Sequence, residues 1–387
     1  MLPTLVTAAL ALACTAVSAA PLVPPPSSFP SIVKRDTSGF NVTYSSPRNA
    51  TTDKLPKLLI MATGGTIAGS SKSNTDSTAY KAGAIGVAAL VEAVPELLST
   101  AQIDGVQVSN VGSNSLTDAI ALNISKLATK ALCGDSPPYD AVVITHGTDT
   151  LEETAFLMDI TVNCSAPVVV VGAMRPSTAI SADGPNNLLS AARTAVAPSS
   201  RNRGALIVMN DRICSAFYCQ KTEANTLDTF EAPEFGFLGH LLSVEPFYHY
   251  PPSTPVFKKV YDISKVQSLP PVEIVYGFQG SDFHLVNASV NAGAKGVVTA
   301  GTGAGSLSDA GQPLIDAIAA SGIPIVTSTK INVGFTVPAE NSTTIAAGFL
   351  NPVKSRRMLQ VLLALGKTND EIRAAFEEPL GSYLTQF

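Results

Sequence analysis

Charge is what this sequence has least of. Only 14% of its 387 residues are Asp, Glu, Lys or Arg, against about 25% in typical soluble proteins. Such a low share suits a membrane protein, or a secreted one whose solubility comes partly from glycans. The net charge is −5, from 25 basic and 30 acidic side chains, and no basic tract occurs. Neutralising phosphates needs clustered Lys and Arg, so nucleic acid is excluded as a main partner. Four histidines are too few for a His-rich metal site, and neither C-x-x-C nor a zinc-type His spacing is found, so no metal or other cofactor is expected. No G-x-S-x-G motif supports a Ser-His-Asp hydrolase. Internal repeats and charge blocks are lacking as well.

What is present begins with a leader. Residues Met1 to Ala20 carry no charged side chain, and the Ala/Leu/Thr-rich run Leu5–Val17 ends in Val17-Ser18-Ala19, small residues a signal peptidase accepts. The run is shorter and less apolar than the roughly 20 residues of a membrane span. Residues 1–19 therefore read as a signal peptide, with no stable membrane insertion. Residues 20–55 read as propeptide or linker. Pro21 to Ser28 is a Pro/Ser stretch that cannot pack a core, and Lys34-Arg35 resembles a dibasic processing site of the fungal secretory pathway. Six Asn-X-Ser/Thr sequons follow, at Asn41, Asn49, Asn123, Asn163, Asn287 and Asn341, which fits a glycosylated protein. The expected location is outside the cell, or held at the cell wall or in the periplasmic space. Four cysteines remain after the leader, Cys133, Cys164, Cys214 and Cys219, and three disulfide pairings are open.

At about 150 residues per domain, the length suits two domains. From Lys57 onward, apolar runs bounded by turn residues alternate with helical spacing. Leu58–Thr63, Val106–Val111, Ala141–Thr145, Val168–Gly172 and Ala205–Met209 read as buried strands. Val87–Leu98, Thr117–Leu132, Leu151–Val162 and Asn187–Val196 read as helices, with Thr117-Asp118 and Thr148-Asp149 as candidate caps. Residues 212–271 are aromatic, Pro-rich and irregular. The alternation then resumes, with strands at Val272–Tyr276, Gly296–Ala300 and Ile323–Thr327 and helices at Pro313–Ala320 and Lys354–Leu365. The fold class is thus α/β in two parts: a larger, mainly parallel sheet covered by helices on both faces (56–250) and a smaller α/β domain (272–387), joined by a linker (251–271). Ligands of such sheets bind beyond the carboxyl ends of the strands.

Two strand ends there carry chemistry. The first runs Met61-Ala62-Thr63-Gly64-Gly65-Thr66-Ile67-Ala68-Gly69, a tight turn that lifts the Thr66 hydroxyl toward a ligand. It is neither G-x-G-x-x-G nor a phosphate loop, since no Gly-Lys-Ser/Thr follows it. A polar, aperiodic stretch from Ser70 to Tyr80 reads as a lid, with Tyr80 its only aromatic. The second is Thr145-His146-Gly147-Thr148-Asp149-Thr150-Leu151-Glu152-Glu153, where Thr148 or Asp149 could equally be a plain helix cap. His146 alone reads as structural.

Together, Met61–Gly69 and Val143–Glu153 resemble the paired signatures of the bacterial-type (type II) L-asparaginase family. The resemblance runs through Gly172 to Ser177, Ser181 to Asn187, Met209 to Arg212 and Leu350-Asn351-Pro352, covering about Leu55 to the end, as a secreted fungal member would. It implies hydrolysis of L-asparagine to L-aspartate and ammonia through an acyl-enzyme on Thr66, with Tyr80 on the lid and a Thr148, Asp149 and Lys221 cluster. It implies Ser113 at the substrate α-carboxylate and Asp149 at its α-ammonium. Asn114 stands where bacterial relatives often carry Gln, and Ser306 where some carry Asn, so both bear on the choice between asparagine and glutamine. The family also implies a Cys133–Cys164 disulfide, and a homotetramer in which Ser306 and Glu340 reach a neighbouring subunit's site. Cys214 and Cys219, outside the bacterial pattern, are expected to bridge and brace the loop before Lys221; a free pair is the alternative. A broad glutaminase-asparaginase is the nearest rival, and an inactive amino-acid-binding or cell-wall-associated relative the rival of another class.

Overall fold

The computed structural model describes residues 39–76, 80–256 and 258–384; the expected signal peptide and Lys34-Arg35 lie outside them. The first sheet contains β1 (Val42–Ser45), β2 (Lys57–Gly64), β3 (Gln102–Val111), β4 (Ala141–Thr145), β5 (Val168–Val171), β6 (Ala205–Met209) and β7 (Arg212–Ser215). After a small hairpin, β8 (Gln220–Lys221) and β9 (Phe230–Glu231), the chain returns to it with β10 (Gly239–Leu242) and β11 (Glu245–Tyr248). Its order is β1-β3-β2-β4-β5-β6-β7-β10-β11. The middle five strands are parallel and the outer ones antiparallel.

The central strands are buried on both faces, which is why they read as unbroken apolar runs. In β2, Leu59 and Met61 face α2 (Asp118–Leu132) and α3 (Leu151–Thr161), while Leu58, Ile60 and Ala62 face α1 (Val87–Glu92) and α4 (Gly184–Val196). The Thr117 hydroxyl caps α2 by accepting the Ile120 amide at 3.3 Å. The helix expected over Val87–Leu98 stops at Glu92 instead, and Pro95 opens a separate 3-10 turn to Ser99, because proline has no N–H to continue the ladder.

The second sheet is wholly parallel, in the order β12 (Val272–Tyr276), β13 (Gly296–Gly301), β14 (Ile325–Thr329), β15 (Ile345–Ala346). One face packs on α5 (His284–Asn291) and α6 (Gln312–Ala320) through Val286, Val297 and Ile315. The other packs on α7 (Pro352–Ala364), which lies against α3, so that Phe156, Val298, Leu359 and Leu362 share one core; α8 (Asn369–Leu384) follows. A polar seam crosses the same contact. Asp118 accepts from Gln360 Nε2 at 2.7 Å, from Arg356 at 3.3 Å and from Arg357, and Arg357 pairs with Glu153 at 3.4 Å.

Two sequence expectations are corrected here. Part of the stretch read as propeptide or linker is built into the fold: β1 pairs with β3, and Phe40 stands edge-on to Tyr139, centroids 5.6 Å apart. Part of the irregular region 212–271 likewise extends the first sheet through β7, β10 and β11, of which β11 is the edge; β10 and β11 mix buried or half-buried with exposed residues and so show no unbroken apolar run.

Cys133 at the end of α2 is bonded to Cys164 just after α3, with Cα atoms 5.5 Å apart. The expected Cys214–Cys219 bridge is absent: both are buried free thiols. Burial, then the hydrogen bond to Cys214, pushes the Cys219 thiol well above its usual range. A thiol kept protonated does not supply the thiolate that disulfide exchange requires.

Closing a 31-residue loop constrains the unfolded chain by about 3–4 kcal/mol. The Cys133→Ser/Cys164→Ser variant should lose stability of that size in denaturant titrations, while Cys214→Ala, which breaks no cross-link, should lose clearly less.

Candidate active site

Strand order places the site. β2 lies between β3 and β4, so the chain leaves β2 toward one side and later returns on the other, opening a crevice beyond the strand ends. Three loops meet there. Gly64 and Gly65 turn with φ of 108° and 77°. A Cβ on Gly65 would lie 2.3 Å from Gly147 Cα, and one on Gly147 would lie 2.8 Å from Ser113 Oγ. Only glycine permits this approach. It brings together Thr66 after β2, Ser113 after β3 and Thr148 after β4, all three buried.

Thr66 Oγ1 lies 2.6 Å from the Tyr80 hydroxyl. Room for the ring comes from Gly69, where a Cβ would meet Tyr80 Cδ2 at 2.9 Å. The base of the lid is pinned by paired bonds between Ser70 and Lys81 at 3.0 and 3.1 Å. The loop after β5 holds its outer side: Ser177 donates to the Gly69 carbonyl at 2.7 Å, and the Thr178 hydroxyl accepts the Ser71 amide at 2.9 Å.

Opposite, Lys221 on β8 donates to Thr148 Oγ1 at 3.1 Å and to Asp149 Oδ1 at 2.8 Å. The Asp149 side chain is 65% exposed, and such a pair contributes about 0–1 kcal/mol; its value is orientation. Neither Thr148 nor Asp149 caps α3. The cap position is Thr150, whose hydroxyl instead donates to the Ser113 carbonyl at 2.9 Å. Among the described residues Ser113 Oγ has no hydrogen-bond partner within the chain, and Asn114 is exposed beside it.

His146 is fully buried. Its Nδ1 meets the Gly147 carbonyl at 2.7 Å and its Nε2 meets the Thr154 hydroxyl at 2.8 Å. Burial lowers its pKa to about 4, outweighing the Gly147 bond. The ring is therefore neutral, with the proton on Nδ1, and it anchors the Gly147 turn rather than accepting protons in the crevice.

Ser306 and Glu340 are not brought to this crevice within the chain, and neither bonds to Thr66, Tyr80, Thr148 or Lys221. Ser306 closes a turn after β13 through its amide to the Thr302 carbonyl at 2.7 Å. It lines a cavity of about 220 Å³ in the second domain with Thr336, Ala339 and Thr344, and Glu340 is exposed. Sequence reading missed Glu152, which is partly buried and receives the Lys221 backbone amide, and Lys354, which is buried. The available signal was a lysine placed on the apolar face of a helix. Among the described residues no cluster of His, Cys, Asp and Glu could hold a metal, and no helix is long and apolar enough to cross a membrane.

Comparison with known proteins matches residues 57–254 to the family model described as Asparaginase, N-terminal, and residues 271–376 to the Glutaminase/Asparaginase C-terminal domain. The chain is 48% identical to Probable L-asparaginase 3 of Schizosaccharomyces pombe, over 83% of this chain and 89% of that protein. It is 45% identical to L-asparaginase 2 of Bacillus subtilis, over 84% and 87%. Among solved structures, the probable cytoplasmic L-asparaginase of Campylobacter jejuni superposes with a TM-score of 0.77 at 36% identity, covering 83% of this chain and 99% of that one.

The state of His146 gives a pH test. It is neutral when folded but gains a proton below about 6.5 when unfolded, so the unfolded state binds more protons and stability falls as pH drops from about 6.5 toward 4. His146→Asn removes this titration. The melting-temperature gap between wild type and variant should be widest above pH 6.5 and close toward pH 4; a constant gap would place the acid sensitivity elsewhere.

Proposed function

The chain belongs to the L-asparaginase family and is an L-asparaginase, and we propose that it works by covalent catalysis from Thr66. The observation that carries this reading is the contact of Thr66 Oγ1 with the Tyr80 hydroxyl at 2.6 Å. A neutral threonine is a weak nucleophile and needs its proton removed along a fixed line of attack. Tyr80 stands where it can relay that proton, accepting it while passing its own phenolic proton on toward the departing nitrogen, as Oγ1 bonds to the side-chain amide carbon of L-asparagine. The carbon–nitrogen bond then breaks, and the nitrogen leaves as ammonia once protonated. Water attacks the resulting ester, freeing L-aspartate and returning the proton to Thr66. Lys221 supports the developing negative charge through Thr148.

The ends of the substrate fit the remaining groups. Ser113 Oγ, without a hydrogen-bond partner among the described residues, suits the α-carboxylate. Asp149 has one oxygen on Lys221, and its other oxygen suits the α-ammonium. In a homotetramer, Ser306 and Glu340 would complete a neighbouring subunit's site. Asn114, exposed and shorter than the Gln often present in relatives, favours a second reading, a broad glutaminase-asparaginase; kcat/KM for the two amides separates these. All six sequon asparagines are exposed, and the Cys133–Cys164 bond suits an oxidising compartment. Both support secretion of a glycosylated enzyme.

Thr66→Ala should lower kcat for ammonia release by about 10³-fold or more while keeping the wild-type circular dichroism spectrum. A folded variant with near-normal kcat would remove Thr66 from the mechanism. For the shared site, mixing inactive Thr66→Ala with inactive Glu340→Ala protein and exchanging subunits should restore some activity. Confirmed exchange without recovery, or an active monomer in sedimentation, would end that reading.

A further inference from the structure

We propose that Lys354, on the first turn of α7, is a positioning residue for Lys221, so that the second domain of a chain sets the catalytic ammonium of its first. This rests on the catalytic reading of Lys221 above. The strand that carries Lys221 is poorly held by its own ladder: β8 has two residues and pairs with the two of β9, far short of what makes a hairpin stable alone. The exposed ion pair with Asp149 does not anchor it either.

What holds β8 is the turn that precedes it. Lys354 Nζ donates to the carbonyls of Ala216 at 3.1 Å, Phe217 at 2.9 Å and Cys219 at 2.5 Å, matching the three protons an ammonium has to give. Lys354 is 2% exposed, and burying that charge is tolerable only with its donors satisfied. Cys219 stands two residues before Lys221, so the ammonium clamps the backbone immediately ahead of it.

A second set of contacts ties the clamp to the strand itself. Asn351 Oδ1 accepts the Lys354 amide at 3.0 Å, and its Nδ2 reaches both Glu152 Oε2 and Gln220 Oε1 at 3.2 Å. Burial raises the pKa of Glu152, while the Lys354 charge, Asn351 and the Lys221 backbone amide draw it back toward the ionised form. Lys354, Asn351 and Glu152 thus touch or face every residue from Cys219 to Lys221. Thr148 and Asp149, which receive the Lys221 ammonium, lie one turn before Glu152, so donor and acceptors are referred to the same buried cluster.

The test assays Lys354→Met, Lys221→Met and the double variant for ammonia release from L-asparagine, with melting temperature measured alongside. A positioning role predicts that Lys354→Met lowers kcat by about 10–100-fold and changes KM by less than about threefold. It also predicts that the double variant is no slower than Lys221→Met, because both changes remove the same contribution. A folded Lys354→Met enzyme with wild-type kcat overturns the proposal, as does a further loss in the double variant equal to the loss in the single; either leaves the role of Lys221 standing. A Lys221→Met enzyme with wild-type kcat overturns both readings. If Lys354→Met does not fold, Glu152→Gln, which keeps the carboxyl shape, carries the same expectations and the same masking test with Lys221→Met.

Discussion

Gly65 and Gly147 meet backbone to backbone, so closely that a single methyl group on Gly65 would fall 2.3 Å from its neighbour. This contact turns the ends of β2 and β4 into one crevice. It places the Thr66 hydroxyl under the lid tyrosine and the Thr148 hydroxyl within reach of Lys221. The neutral, buried ring of His146 holds the Gly147 carbonyl from behind, and Gly172 lets the next loop close over it, since a Cβ there would sit 3.0 Å from the His146 carbonyl. The site is thus preorganised by absent side chains as much as by those present.

The second domain is bound to this site by polar contacts as well as by apolar packing. Along α7, Asn351, Lys354, Arg356, Arg357 and Gln360 all hydrogen-bond groups outside the helix. Replacing a buried ionic group by a well-packed apolar one is often neutral or favourable for stability, so the directional value of such contacts is the more telling feature. A ladder of apolar residues would let α7 slide on α3, whereas ammonium to carbonyl and guanidinium to carboxylate contacts admit one register. That register governs whether the short β8–β9 hairpin presents Lys221 to Thr148.

Exposure divides the proposed machinery in two. Thr66, Ser113 and Thr148 are buried, and their surroundings are fixed by the strand ends. Asp149 and Asn114 are exposed and Tyr80 is half-buried on the lid, so these groups retain the freedom that substrate entry requires.

Much was legible in the residues alone. The doubly buried strands show as unbroken apolar runs, the parallel α/β plan shows in their alternation with helices, and Thr117 marks where α2 begins, whereas the break at Pro95 was read through as continuous helix. Thr66, Tyr80, Thr148 and Asp149 were singled out because glycine-rich strand ends and hydroxyls near a turn are local signals, and Lys221 because its motif stands in family-like order; the structure brings Thr66 to Tyr80 and Lys221 to Thr148 and Asp149. The outer strands β1, β10 and β11 escaped, since their mix of buried, half-buried and exposed residues dilutes the apolar pattern, and the expected Cys214–Cys219 bridge failed because spacing says nothing of burial. The Gly65–Gly147 contact spans 82 residues of chain, and the Lys354–Cys219 bond spans 135. No local periodicity encodes either. They follow from which strand ends become neighbours at the switch in strand order and from the register of α7 on α3, and both exist only once the sheet and the two domains are packed.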